Sequence, residues 1–127
     1  MCEMDIDGRR FQVGSLAELQ ARWPSILSKE LGSVWFNPEG GGPSLTILKR
    51  GEIGWLMYLR GPGDAGFSSR NPAYAGDPDA RLEFQIENGQ VDSYPIAWTY
   101  PIVDALRAAE HFFVTGERAP WIDWHED

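Results

Sequence analysis

The stretch SLTILKRGEIGWLMYLR, residues 44–60, holds two short runs rich in aliphatic and aromatic residues on either side of an Arg-Gly-Glu break. Strand side chains alternate between two faces. In the second run Ile53, Trp55, Met57 and Leu59 share one face, and Gly54, Leu56, Tyr58 and Arg60 share the other. A strand that is apolar on both faces is covered on both. The pattern therefore predicts a central strand, or one with a helix on one side and a partner or long loop on the other. SVWF, residues 33–36, precedes it through the turn-forming NPEGGGP, so three strands are expected between residues 33 and 60.

Upstream the period changes. RRFQV alternates around Phe11 and Val13 as a short strand, and GSLAELQARW then opens a helix. Ser15 is placed to accept from the backbone N–H three residues on, while Glu18 reaches back, the reciprocal arrangement of a capping box. Leu16, Leu19, Trp23 and Ile26 or Leu27 fall on one helical face. Pro24 lacks an N–H and crowds the preceding turn, so a kink or two short helices are expected between about residues 16 and 30, ended by Gly32. The opening MCEMDIDGRR is acidic and then basic; residues 1–8 are expected to fray, with Cys2 an uncommitted thiol.

Downstream, residues 61–80 read as one long irregular stretch with four glycines and three prolines. Loops of that length in compact domains are often functional. Leu82, Phe84 and Ile86 alternate with Glu83, Gln85 and Glu87, and Asn88-Gly89 is a strong hairpin signal. A second helix starts at Pro101, repeats Ile102, Leu106, Ala109 and Phe113 at helical spacing, and stops at Gly116. The expected fold is α+β, a four- to six-stranded mainly antiparallel sheet with two main helices packed on one face, in a single domain over residues 1–127.

The chain has 127 residues with 19 acidic and 11 basic, a net charge of −8. That balance argues against direct nucleic-acid binding, which needs a basic face for phosphates. It permits two other readings, plain solubility, which is the default, or an acidic surface that steers a basic partner. No apolar run reaches bilayer length, no apolar signal region opens the chain, and the single cysteine cannot form an internal disulfide, so a cytoplasmic protein without membrane contact is expected.

The residues that could carry chemistry are few. His111 falls within the second helix, and His125 sits in DWHED with Asp123, Glu126 and Asp127, a cluster read as a solvated tail because it lacks the spaced Cys and His of structural zinc sites. EGGGP and GPGDAG lack the Gly-Lys-Ser/Thr ending of a phosphate loop and are read as turns. Glu52, Glu83, Glu87 and Asp92 lie on or beside strands, where two could face each other as a glycosidase-like pair; the same alternation is the polar-out half of a sheet. No catalytic residue, cofactor or metal is expected.

Residues 94–126, YPIAWTYPIVDALRAAEHFFVTGERAPWIDWHE, are a proline-started helix with a Phe-rich end, then Thr-Gly-Glu-Arg, then a Pro and a Trp followed by an acidic residue. This arrangement resembles the C-terminal part of the immunity protein 1 family of bacterial polymorphic toxin systems. The capped first helix, the strand pair in 44–60 and the Glu-Asn-Gly hairpin are similar in order, so the resemblance spans roughly residues 15 to 126. It implies an α+β protein that binds a cognate toxin one-to-one, often a nucleic-acid deaminase, and blocks its active site or substrate groove. By the same analogy Trp124 and Trp55 occupy the family's recurring aromatic positions. The expected toxin contacts are Glu39, Asp64, Phe67, Tyr74, Asp77 and Asp79, with the aromatics as anchors and the acids setting register and on-rate. Two other classes are carried beside it: a small hydrolase or isomerase using the strand carboxylates, and a general protein-interaction domain. In the closing segment, Trp121 and Trp124 point to opposite sides if the chain is extended, so Trp124 is expected to anchor on the core and the tail to close the fold.

Overall fold

The structure is a computed structural model that describes residues 2–85 and 90–127. Its first element corrects the expectation of a frayed start. β1 (Cys2–Ile6) turns through Asp7 and Gly8, both at positive φ, into β2 (Arg9–Val13). An Asp-Gly pair in that conformation is the tight turn whose twist matches two antiparallel strands. β1 also pairs along its whole length with β3 (Leu31–Pro38), so it is an interior strand. Cys2, Met4 and Ile6 are buried, and burial raises the Cys2 thiol pKa above its ordinary value. The Asp7 carboxylate fastens the turn by accepting from the Ser33 N–H and from Lys29 Nζ, each at 2.8 Å.

Ser15 caps α1 (Leu16–Gln20) by accepting from the Glu18 N–H at 3.2 Å, and Glu18 returns to accept from the Gly14 N–H at 3.0 Å. Pro24 divides this region in two, because it is tolerated in the first turn of a helix but not in the interior. α2 (Trp23–Leu27) accordingly starts afresh around it. Gly32 is no helix stop; it lies inside β3, where a Cβ would come within 3.1 Å of the Asp7 carboxylate. Lys49, almost fully buried, donates from Nζ to the Lys29 carbonyl beyond the end of α2.

The sheet is larger than four to six strands. β4 (Ser44–Arg50) and β5 (Ile53–Leu59) extend β3, and β6 (Phe67–Arg70) continues along one end of β5. β9 (Tyr100–Pro101) takes the other end of the same edge, and β10 (Asp123–Glu126) pairs with β6. The described residues thus form an eight-stranded antiparallel sheet in the order β10-β6-β5-β4-β3-β1-β2, with β9 beside β5. Among the described residues β7 (Arg81–Gln85) and β8 (Val91–Pro95) pair only with each other, and a 3-10 turn at Ile96–Trp98 leads on to β9. The Asn88-Gly89 turn expected between them lies outside the described residues.

Both faces of β5 are covered, as its double apolar pattern requires. On one side lies α3 (Ile102–Thr115), whose Ile102, Ala105, Leu106, Ala109 and Phe112 are buried. Phe112 takes the buried place expected of Phe113, which is half-buried beside the core. Gly54 permits the close approach, since a Cβ there would lie 3.1–3.3 Å from Ile47, Ala105 and Ile102. The β7–β8 ribbon covers the other side: Phe84, fully buried, packs with Leu48 and Trp55, and Tyr94 stacks on Trp55 at 4.3 Å. Each large side chain buried this way contributes about 1.5–3 kcal/mol. Among the described residues no helix is long and apolar enough to cross a membrane.

Candidate functional site

The stop at Gly116, a left-handed residue at φ 74°, turns the chain off α3 and back across the far end of β5 and β6. Pairing of β10 with β6 straps it there. Ile122 and Ala119 are buried, the Trp124 indole Nε1–H donates to the Ala119 carbonyl at 3.0 Å, and the Tyr100 hydroxyl donates to the Arg70 carbonyl at 2.7 Å while accepting from the Asp123 N–H at 2.9 Å. Burial raises the Tyr100 pKa above its ordinary value. Trp124 is half-buried on the core and Trp121 is exposed, edge-on to His111 at 5.3 Å. The tail closes the sheet as expected, but its strand β10 holds only Trp124; Trp121 lies in the turn before it, so the two are not alternating positions of one extended segment.

Between tail and sheet lies an open groove of about 730 Å³, lined by Tyr58, Arg60, Phe67, Arg118, Ile122 and Trp124 together with Glu117, Ala119 and Pro120. Phe67 is its centre. The Arg118 guanidinium lies 3.8 Å from the Phe67 ring centroid and that of Arg60 4.9 Å. Tyr58 meets Phe67, Phe112 and Trp124 at centroid distances of 6.3, 5.9 and 6.5 Å, so the groove floor is continuous with the core. An open concavity with aromatic walls, a few oriented charges and a volume in the range of ligand sites is suited to binding.

Arg60 is held in place by Asp64. The carboxylate accepts from Arg60 Nε at 2.9 Å, Nη2 at 2.8 Å and the Arg60 backbone N–H at 2.8 Å, closing the Gly-Pro-Gly turn. These bonds from the Arg60 side chain and then its backbone hold the Asp64 carboxyl well below the usual carboxylate range. A carboxyl with a depressed folded pKa stabilises the fold above its unfolded pKa of about 3.9, and that stabilisation is lost as pH falls through the folded value. Asp64→Asn is therefore expected to lower the urea midpoint at pH 7, with the gap to the parent chain closing as pH drops below about 4. A gap that stays constant from neutral to strongly acidic pH would remove the ion pair as its cause.

The six expected contacts do not form one surface. Phe67 lies in the groove and Asp64 is the brace behind it. Glu39 is at the same end of the sheet, since the turn after β3 lies against Gly61 and Pro62, but it lines a separate depression with Glu3 and Gln12. Residues 61–80 are also not one irregular loop. β6 interrupts them, and its three residue steps carry the chain about 10 Å toward the opposite end. There Tyr74, Asp77 and Asp79 form a self-contained turn: the Tyr74 hydroxyl donates to the Asp77 carbonyl at 3.0 Å, and Asp77 Oδ1 accepts from the Asp79 N–H at 2.9 Å.

The other candidates separate in the same way. Glu83 faces outward opposite Ser93, whereas Asp92, opposite Phe84, faces the sheet with its Oδ2 3.5 Å from the Tyr94 hydroxyl; Glu52 is exposed at the β4–β5 turn. Glu87 lies outside the described residues. In DWHED, Glu126 turns to Arg60 at 3.5 Å and Asp127 accepts from Ser68 at 3.0 Å, so the carboxylates diverge. Arg60, Arg118 and Tyr58 were not anticipated as site residues. Their local signals were the four-residue spacing of Arg60 and Asp64 across a turn and the Gly-Glu-Arg after a helix stop. No family model and no curated protein matches the chain.

Proposed function

We propose that this protein is an immunity-type inhibitor that binds a cognate bacterial toxin domain one-to-one and covers its active site or substrate groove, the toxin being of the nucleic-acid-targeting deaminase class. The observation that supports this most directly is the aromatic and arginine-lined groove at the folded tail, with the exposed acid Glu117 in its lining and the exposed Glu126 beside Arg60. Aromatics and arginines in a concave setting supply most of the energy in protein interfaces. Exposed acids, on a chain of net charge −8, steer association toward a basic surface such as the phosphate-binding groove of a nucleic-acid enzyme. The resemblance of residues 15–126 to the immunity protein 1 family points the same way.

Co-expression with the toxin domain encoded beside this chain tests the reading. The expected results are a one-to-one complex on gel filtration and restored growth of the toxin-expressing host. A toxin that elutes separately and remains lethal would sink the proposal.

A further inference from the structure

Two arginines share the Phe67 ring, and they differ in what their charge meets. Arg60 is closed, with Asp64 at 2.8 Å and Glu126 at 3.5 Å. Arg118 is open: among the described residues it takes part in no ion pair and no side-chain hydrogen bond, and its described interactions are with the rings of Phe67 and, at 5.7 Å, Tyr58. Among the described residues Arg50 and Arg81 also lack ion pairs but donate to Glu83 and Ser93, and Arg9, Arg22 and Arg107 have neither ion pair nor side-chain hydrogen bond; none of the five lines this groove. A guanidinium resting on an aromatic face keeps its in-plane N–H donors free, and their fork matches a carboxylate. The ring limits the side chain's freedom, so less conformational entropy is lost when an anion binds.

The geometry points to a carboxylate-binding site at Arg118, occupied by one Asp or Glu side chain of a protein partner, whose adjacent apolar side chain rests on Tyr58 and Trp124. Charge and shape select this occupant. A single open cation beside an apolar floor matches a single carboxylate next to an apolar group. A polyanion such as a nucleic acid would meet Glu117, Glu126 and the overall charge of −8, and would be repelled. The inference rests on the reading of this chain as a protein-binding inhibitor and adds a contact of opposite sign to its acidic surface. Mixed signs in one interface fix register and penalise wrong partners.

The test uses the whole chain, ¹⁵N-labelled, titrated with N-acetyl-glutamate amide, with the isosteric N-acetyl-glutamine amide and, separately, with inorganic phosphate. The glutamate probe is expected to shift the Arg118 Nε–Hε signal and the backbone signals of Ile122 and Trp124, binding about tenfold or more tightly than the glutamine probe. Arg118→Gln should abolish the Ile122 and Trp124 shifts and Arg118→Lys should weaken them, with the remaining spectrum unchanged. Equal response to both amides, tighter binding of phosphate than of the glutamate probe, or an Arg107 Nε–Hε shift as large as that of Arg118 would each overturn the assignment. A toxin complex formed equally well by Arg118→Gln would also overturn it. An Arg118 response in a chain that binds no toxin would instead overturn the proposed function and leave the carboxylate site standing.

Discussion

Deletion of Cys2–Ile6 is expected to abolish cooperative folding, leaving a chain without near-UV circular dichroism. The segment looks like a dispensable start, but it is the strand between β2 and β3, paired with Val13 through Arg9 on one side and with Pro38 through Val34 on the other. Its removal orphans β2 and exposes the ladder edge of β3, a template for association with other chains. It also removes three buried side chains, Cys2, Met4 and Ile6, of which Met4 and Ile6 each contribute about 1.5–3 kcal/mol of apolar burial. Against a total stability of about 5–15 kcal/mol for a domain of this kind, that loss is decisive. Met4→Ala gives a graded version: Met4 is fully buried, and truncating such a side chain costs about 2–5 kcal/mol. With a urea dependence of about 1–3 kcal/mol per molar, its unfolding midpoint should fall by about 1 M or more. A deletion variant that unfolds cooperatively at the parent midpoint would show that β1 is not part of the folded unit.

The signals for this strand were present in the sequence at short range. Cys2, Met4 and Ile6 alternate with Glu3 and Asp5, and Asp7-Gly8 is the same class of turn signal as Asn88-Gly89. Position at the chain start and the run of acids argued for a tail. In the fold Asp5 and Glu3 are offset by Arg10 across the strand pair, at 3.7 and 4.0 Å. Elements that rest on local chemistry were legible: the cap at Ser15, the break at Pro24, the stop at Gly116 and the two covered faces of β5. β6 was not, because FSSR has the composition of a loop. Its serines are buried only because distant groups satisfy them: Ser69 accepts from the Leu56 N–H and donates to the Trp98 carbonyl, and Ser68 donates to Asp127. The groove was hidden for the same reason. Tyr58, Phe67, Arg118 and Trp124 are separated by up to 66 positions and meet only after β10 pairs with β6, a contact that no local period announces.

Gly66 is where that assembly is most exposed to a single substitution. Gly66→Ala is expected to destabilise the chain by about 3 kcal/mol or more, whereas Gly63→Ala, three residues earlier, should cost about 1–2 kcal/mol. Both glycines hold the left-handed backbone, at φ +80° and +78°, so the conformational cost of a Cβ is similar at each. Their surroundings differ: nothing lies within 4 Å of a Cβ at Gly63, while one at Gly66 would sit 2.5 Å from the Tyr58 carbonyl oxygen and 2.6 Å from Leu59 Cδ2. The leucine can turn away, but the carbonyl belongs to β5 and can yield only if β6 shifts. Such a shift carries Phe67 with it, and it also moves the Gly66 carbonyl that accepts the Asp127 N–H at 2.9 Å, loosening β10. The substitution should therefore damage the groove as well as the fold, so that the residual folded Gly66→Ala protein responds weakly to the glutamate probe at Arg118 while Gly63→Ala responds like the parent chain. Urea unfolding of the two variants measures the first effect and the titration the second. Equal losses of stability at the two glycines would mean that the backbone conformation, and not the contact with β5, sets the requirement for glycine.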